Sequence, residues 1–458
     1  MATSSNLRDH PLRRWLFWFY HGGTGLNHFL RRRLRPAGIA LLIIGVVLGF
    51  LAGGDASEAV FRLFCFGFAV GALALSSLPL RRVRLEVERE LPPHATVGQE
   101  VAVHYRVRNR GKHRVHNAWL VETAPDSRPE PEQFAWAREP GGEGRNAFDR
   151  FFSYYTWIWL CESLRLFEAL PAAESLDLGA GESRRYSTSL VPLRRGLVWL
   201  HDLRVLLPDP LGLYQRCSKV SSPPATLVVL PERYRLPEFD LPGAARFQPG
   251  GDATSRQMGT SGEFVGLRDY QPGDPLRLIH WASWARAGKP IVKELEDTFF
   301  PRHGLILDTY PEGTDLELFE AGVSVAASFV SAIDNRESLI ELMFIAGEAR
   351  VITAGGGTAK SEALLEALAV VQASSEPCLG SLRSLVLRHA EDLAGCLVIF
   401  SGWSAEREVF LKSLKAAGIA VAAVVVCRER QTAAVPGVHF VHLKQLGKDL
   451  MNLPRHLE

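Results

Sequence analysis

Apolar and polar positions change rhythm several times along the chain, and each change predicts a different kind of element. Residues 36–54 are nineteen positions without a charge, and residues 63–80 are eighteen. At 1.5 Å per residue each run reaches about 27–28 Å, close to the roughly 30 Å hydrocarbon core of a bilayer. A two-helix transmembrane hairpin is therefore expected over 36–80. From Val83 the rhythm becomes alternation: Val83, Leu85 and Val87, then Val101, Val103, Tyr105 and Val107, with similar runs at 186–190, 197–207 and 225–230. Alternation of this kind marks half-buried strands joined by turns. Several short strands at this spacing predict a small β-sandwich over 82–235.

A block over 134–171 interrupts that sandwich. Its uncharged aromatic run, 151–161, is eleven residues long and too short to span a bilayer. It reads either as an insertion folded onto the sandwich or as an aromatic helix lying against the membrane or a partner. Beyond residue 300, apolar strands (304–308, 338–345, 396–401 and 419–426) alternate with amphipathic helices. One helix carries Leu316, Phe319, Val323, Ala326 and Val330 on one face, and others are expected over 361–371 and 405–416. This alternation predicts a mainly parallel sheet covered on both faces over 301–446. The fold class is α+β and multidomain.

Charge gives the apolar runs a direction. Arg31, Arg32, Arg33 and Arg35 precede the first, and Arg81, Arg82 and Arg84 follow the second, while the short connection carries Asp55, Glu58 and Arg62. The positive-inside rule then places both termini and all the soluble domains in the cytoplasm. Within the basic stretch 1–35, residues 15–20 read Trp-Leu-Phe-Trp-Phe-Tyr beside Arg13 and Arg14, an interfacial pattern. Over the whole chain 52 Lys and Arg balance 50 Asp and Glu, a formal charge of +2. That argues against a nucleic-acid partner and leaves the lipid bilayer and other proteins. The six cysteines show no C-x-x-C and no neighbouring histidine pairs, so neither a zinc site nor a disulfide framework is expected. Cys396 and Cys427 read as small buried hydrophobes.

Candidate chemistry is concentrated over 240–300. Residues 262–296 read GEFVGLRDYQPGDPLRLIHWASWARAGKPIVKELE, placing Arg268, Asp269, Asp274, Arg277 and Arg286 among bulky apolar side chains. Pro272, Gly273, Asp274 and Pro275 supply turn chemistry with little freedom. The segment is expected to be an ordered, charge-paired elbow rather than a helix or a flexible linker. Arg268 and Arg277 flank Asp269 and Asp274, which predicts at least one arginine–carboxylate pair shielded from solvent and a loosened fold in Arg277→Ala.

The run through Arg268, Asp269, Tyr270, Pro272, Gly273, Asp274, Arg277, His280, Trp281 and Arg286 resembles the signature of domain-of-unknown-function family 58, and 209–213, DPLGL, resembles a motif that precedes it. The resemblance implies a bacterial or archaeal, often membrane-anchored protein commonly paired with a MoxR-type AAA+ ATPase. On that basis the chain is expected to be a multi-pass protein of the bacterial inner (cytoplasmic) membrane. It would act as a scaffold or adaptor in assembly or maturation of protein complexes, with no cofactor and no catalysis. Other membrane or secreted-pathway proteins are compatible partners.

Two further resemblances bear on the domains. The turns at 97–100 and 109–111 are similar to those of immunoglobulin-like modules. Asp308 at the end of its strand, followed by a loop and a long helix, resembles the von Willebrand factor A fold. There the loop usually reads Asp-x-Ser-x-Ser and binds a divalent ion, whereas here it reads Asp308-Thr309-Tyr310-Pro311-Glu312, and the loop after 396–401 reads Ser-Gly-Trp-Ser. A hard cation wants about six oxygen ligands, so a metal-free fold is expected, with Asp308 the weak metal candidate. The glycine-rich stretch 354–361 lacks the glycines of a phosphate-binding loop. Two alternatives to the adaptor stay open: a hydrolase using Asp274 and His280, with Ser283 nearby, and a metal-dependent binding module.

Overall fold

The computed structural model describes residues 11–457 apart from 53–57, 81, 138, 140–141, 171, 173, 244–262, 297–301, 312–314, 334–338, 356–357 and 430–434. Asp55, Arg81, Gly262, Glu312 and Gly356–Gly357 therefore lie outside the described residues. The chain divides into two compact units, Met1–Pro231 and Glu232–Glu458.

The first unit begins with three helices, α1 (Pro11–Arg33), α2 (Pro36–Ala52) and α3 (Glu58–Ser77). Among the described residues, α3 alone is both long and apolar enough to cross a membrane, whereas α2 is apolar but 17 residues long, about 25 Å at 1.5 Å per residue. The two pack side by side: a Cβ at Gly49 would stand 3.2 Å from the Phe64 ring, and one at Gly67 would stand 3.7 Å from Leu41.

The strands follow: β1 (Leu85–Glu90), β2 (His94–Thr96), β3 (Val101–Asn109) and β4 (Val115–Glu122). Then come helices α4 (Pro131–Trp136), α5 (Ala147–Phe152) and α6 (Tyr154–Leu164), and strands β5 (Phe167–Ala169), β6 (Leu176–Leu178), β7 (Ser183–Pro192), β8 (Gly196–Leu200), β9 (Leu203–Pro208), β10 (Gln215–Lys219) and β11 (Ala225–Leu230). Two antiparallel sheets, β1-β3-β7-β5 and β10-β9-β4-β6, share one core, and a third runs β2-β11-β8. The period-2 rule is visible in β3, where Val103, Tyr105 and Val107 are buried while Arg106 and Arg108 point out.

The run expected over 197–207 is in fact two strands. His201 and Asp202 turn the chain, so that β8 pairs with β11 and β9 with β4. Inside the sandwich, Arg89 donates to both carboxylate oxygens of Glu122 at 3.1 and 2.9 Å, and the Tyr105 hydroxyl donates to the same group at 3.2 Å. The aromatic block resolves into α4, α5 and α6, and these pack onto α1. Phe17 lies between Phe134 and Trp157, with ring centroids 6.3 and 5.7 Å away.

The second unit opens with strand β12 (Glu263–Asp269), helix α7 (Trp281–Ala287) and strand β13 (Ile291–Glu296). After these come β14 (Arg302–Leu307), α8 (Leu316–Ala332), β15 (Leu339–Ala346), β16 (Glu348–Gly355), α9 (Thr358–Val370), α10 (Leu379–Arg388), β17 (Gly395–Ser401), α11 (Ala405–Ala416), β18 (Ala420–Cys427), β19 (Val438–His442) and α12 (Leu446–Met451). Six strands form one sheet in the order β16-β15-β14-β17-β18-β19, parallel throughout except for β16. Helices α10 and α11 bury Leu382, Leu385, Phe410 and Leu414 against one face. On the other face α8 approaches so closely that a Cβ at Gly322 would stand 2.8 Å from Ser401 Oγ. Cys396 and Cys427 are buried thiols that form no disulfide.

Candidate functional site

The elbow is a β-hairpin with an ordered connection. Strands β12 and β13 pair antiparallel from Asp269↔Ile291 to Glu263↔Glu296, with a bulge between Phe264 and Gly266. Contrary to the sequence expectation, the connection contains a helix. Helix α7 ends at Gly288, whose left-handed conformation (φ 69°) lets its N–H return to Trp284 O. A second turn places Gly273 at φ 109°, a region costly for any residue with a Cβ.

That turn presents Asp274 to Arg268. The guanidinium donates through both Nη atoms, at 2.6 and 2.7 Å, and the Gln271 amide donates to the same carboxylate at 2.9 Å. Asp274 is buried and Arg268 about one-third exposed. The bidentate bond to Arg268 holds the Asp274 carboxyl below its ordinary range, helped by the Gln271 amide. The shielded pair expected from sequence therefore exists, and Arg268 supplies it. Arg277 is exposed, because the turn that buries Asp274 aims the following residues outward.

The other signature residues fall in different places. Asp269 meets Lys289 at 2.6 Å in solvent, and the Tyr270 N–H donates to Pro290 O. Pro272 and Arg286 are exposed. His280 Nδ1 lies 2.7 Å from Ser283 Oγ, while the carboxylate of Asp274 is occupied by Arg268 and Gln271. Trp281 is 65% exposed and stacks on Trp284 with centroids 5.2 Å apart. Leu276, 68% exposed, lies on the same connection. The arm thus presents aromatic and aliphatic surface on a frame held by a charge pair.

A second centre lies at the C-terminal edge of the six-stranded sheet. Counted within this sheet the strand order is 3-2-1-4-5-6, so connections depart in opposite directions from β14 and β17, the point where open α/β sheets place ligands. Asp308 follows β14 there and is closed to solvent. Its carboxylate receives Arg407 Nε at 2.9 Å and Nη2 at 2.8 Å, together with the Tyr310 N–H at 3.0 Å. Arg407 Nη2 also donates to Tyr310 O at 2.6 Å. Burial raises the Asp308 carboxyl above its ordinary range, and Arg407 opposes that. A side-chain cation therefore stands against the carboxylate that the sequence marked as a weak metal candidate. Among the described residues, no cluster of three His, Cys, Asp or Glu could hold a metal ion.

Sequence reading missed Arg407, although a signal existed. Positions 407, 410, 411 and 414 form the buried stripe of α11, and an arginine at a stripe position demands a buried partner. Beside it, between α10 and α11, lies a groove of about 360 Å³ lined by Leu379, Arg383, Val409 and Phe410.

The DPLGL motif acts elsewhere, within the first unit. Asp209 accepts the N–H groups of Leu211 and Tyr214 at 3.0 and 2.8 Å, fixing the loop. Leu213 O then accepts the Arg35 N–H at 3.0 Å, and Gln215 Nε2 donates to Arg32 O at 3.2 Å. The loop grips the junction between α1 and α2.

A family model described as "Protein of unknown function DUF58" matches residues 266–452, from within β12 to just past α12. Residues 266–452 are therefore similar to the DUF58 family. The match joins the arm and the six-stranded sheet in one DUF58 region. The uncharacterized protein YeaD of Bacillus subtilis is 29% identical over 153 residues, 33% of this chain and 36% of YeaD. The match thus spans about a third of that relative. Among solved structures, a CARDB domain from Pyrococcus furiosus aligns at TM-score 0.17 with 12% identity, over 32% of this chain and 94% of that one. A GH20 exo β-N-acetylglucosaminidase from Vibrio harveyi aligns at 0.15 with 9% identity, over 76% and 57%. Scores that low carry no argument about fold or function.

Proposed function

We propose that this protein is a membrane-anchored scaffold or adaptor whose arm recruits a protein partner, and that the partner is a MoxR-type AAA+ ATPase. The observation that carries the reading is the exposed Trp281, stacked on the half-buried Trp284, with exposed Leu276 on the same connection, on an arm braced by Arg268–Asp274. Aromatic side chains held on a rigid frame lose little freedom on binding and suit the centre of an interface. The identity of the ATPase rests on the family resemblance.

In this reading α2 and α3 form a transmembrane hairpin in the bacterial inner membrane. Their outward side chains, such as Val46, Phe50, Phe66 and Phe68, are apolar and exposed, which supports it, as do the arginines beyond both outer ends. Both termini and the soluble domains are then cytoplasmic. The sandwich serves as an immunoglobulin-like spacer, and the six-stranded domain is von Willebrand factor A-like, with Arg407 standing where its ion would be. A periplasmically active reporter should be silent after Glu458 and active when inserted near Gly54, and the reverse would invert this topology.

Affinity capture of the detergent-solubilised chain from its native host tests the adaptor reading. The expected result is a stoichiometric AAA+ ATPase that is lost with Trp281→Ala. Capture of none would overturn it. The hydrogen bond between His280 and Ser283 favours one rival, a hydrolase. That rival requires Asp274→Ala and His280→Ala to abolish a turnover while folding and partner capture survive.

A further inference from the structure

Helix α1 carries a second surface that the adaptor reading does not use. Trp15, Trp18, Phe19, Leu26, Phe29 and Leu30 recur at steps of three, four and seven, so they share one stripe of the helix. All six are exposed, Trp15, Trp18 and Phe19 at 58%, 64% and 61%. The opposite side of α1 is held down. Phe17 is buried between Phe134 and Trp157, the Tyr20 hydroxyl donates to Phe152 O at 3.0 Å, and Arg13 Nη1 donates to Ala135 O at 2.7 Å. Helices α4 to α6 thus form a cradle that leaves the stripe outward.

We infer that α1 lies in the plane of an anionic bilayer surface, its aromatic stripe seated at the boundary of headgroups and acyl chains, and that the 131–164 insertion is the cradle that orients it. Three observations favour lipid as the occupant. Helix α1 contains Arg13, Arg14, Arg31, Arg32 and Arg33 and no acidic residue, so its charge complements an anionic surface. The stripe is dominated by Trp and Phe, of which Trp is enriched at membrane interfaces. Only Leu34 and Arg35 separate α1 from α2, whose own outward residues Ile43, Val46 and Phe50 are exposed and apolar. The stripe therefore begins where the apolar helices begin. This inference rests on the reading of α2 and α3 as membrane-inserted.

The test uses the full chain reconstituted into vesicles of phosphatidylcholine with phosphatidylglycerol, doped with lipids brominated at different depths. Comparing the chain with its Trp15→Phe/Trp18→Phe variant isolates the fluorescence of these two residues. The expected result is quenching of that fluorescence by bromines near the glycerol backbone, weaker quenching by bromines at the chain ends, and its loss in a Trp18→Glu/Phe19→Glu variant. These substitutions fall on the exposed side, so the fold is kept, and circular dichroism checks that.

Resistance to carbonate extraction separates the two readings. Incorporated protein with no quenching of Trp15 and Trp18 would overturn the stripe's seat while leaving the hairpin intact. Extraction of the whole protein would overturn the hairpin and this inference together. Protection of the two tryptophans from aqueous quencher in native membranes but not in pure vesicles would mean a protein occupant and would also overturn it.

Discussion

The guanidinium of Arg407, on α11, lies 2.8 Å from the carboxylate of Asp308 at the end of β14, and neither side chain is open to solvent. Removing one member of a buried pair leaves an uncompensated charge, at about 3–5 kcal/mol, whereas replacing both with apolar residues is often near neutral. Arg407→Ala should therefore lower the denaturation midpoint sharply, and Asp308→Leu/Arg407→Leu much less. Equal losses in the two variants would show that the pair is not coupled.

The same geometry bears on metal binding. An arginine already neutralises Asp308, and a hard cation would need several more oxygens. Calorimetric titration with Mg²⁺ or Ca²⁺ is expected to show no submillimolar binding. Binding of that strength, lost in Asp308→Ala, would instead favour the metal-dependent module.

The Arg268–Asp274 pair makes the arm pH-sensitive in a definite direction. The folded carboxyl lies below its ordinary range, so the unfolded state takes up its proton first. The pair's contribution is then fully present above about pH 4, the unfolded value, and is lost as the pH falls through the lower folded value. Amide exchange at Gln271, whose N–H donates to Asp274, should accelerate in acid beyond its intrinsic rate. Arg268→Ala should weaken the arm at neutral pH by roughly 1–3 kcal/mol, the cost of a carboxylate left short of donors.

Arg277 should behave in the opposite way. It is exposed, and exposed substitutions usually shift stability within about 0.5 kcal/mol. Arg277→Ala is expected to leave the melting curve in place and to reduce capture of the partner. A lowered melting temperature would restore the clamp role that the sequence suggested.

The parts of this fold legible in the sequence are those whose pattern is local. The helix expected over 405–416 and the strand over 225–230 match α11 and β11 at both ends, because each is a periodic segment closed by a turn. Strand β16 lies at a sheet edge, and its described side chains are exposed or half-buried with none buried, which weakens the period-2 signal. Helix α7 was hidden by its length of seven residues, although Gly288 marked its end. Contacts between distant residues were out of reach. Arg407 and Asp308 are 99 positions apart, and Phe17 meets Trp157 through a fold that no local window shows. The shielded pair in the arm was legible because both partners sit within one tight turn, but which arginine fills it depends on where that turn aims its side chains.

The grip of the DPLGL loop on the α1–α2 junction yields the last prediction. A Cβ at Gly38 would stand 2.0 Å from Leu213 O, a backbone atom that no rotamer change can move. Forcing extra volume into a packed contact usually costs about 1–3 kcal/mol, and here relief requires the loop or the helix to shift. Gly38→Ala should break the hydrogen bond from the Arg35 N–H to Leu213 O and free residues 32–38 from the sandwich. Asp209→Ala attacks the same grip from the other side by removing the acceptor for two backbone N–H groups, with an effect of about 1–3 kcal/mol if those groups stay buried and unpaired. Limited proteolysis of the solubilised chain reads the outcome. Both variants should expose a cleavage site between Arg31 and Arg35 while the sandwich core stays resistant. Unchanged protection in Gly38→Ala would mean that this contact does not hold the junction.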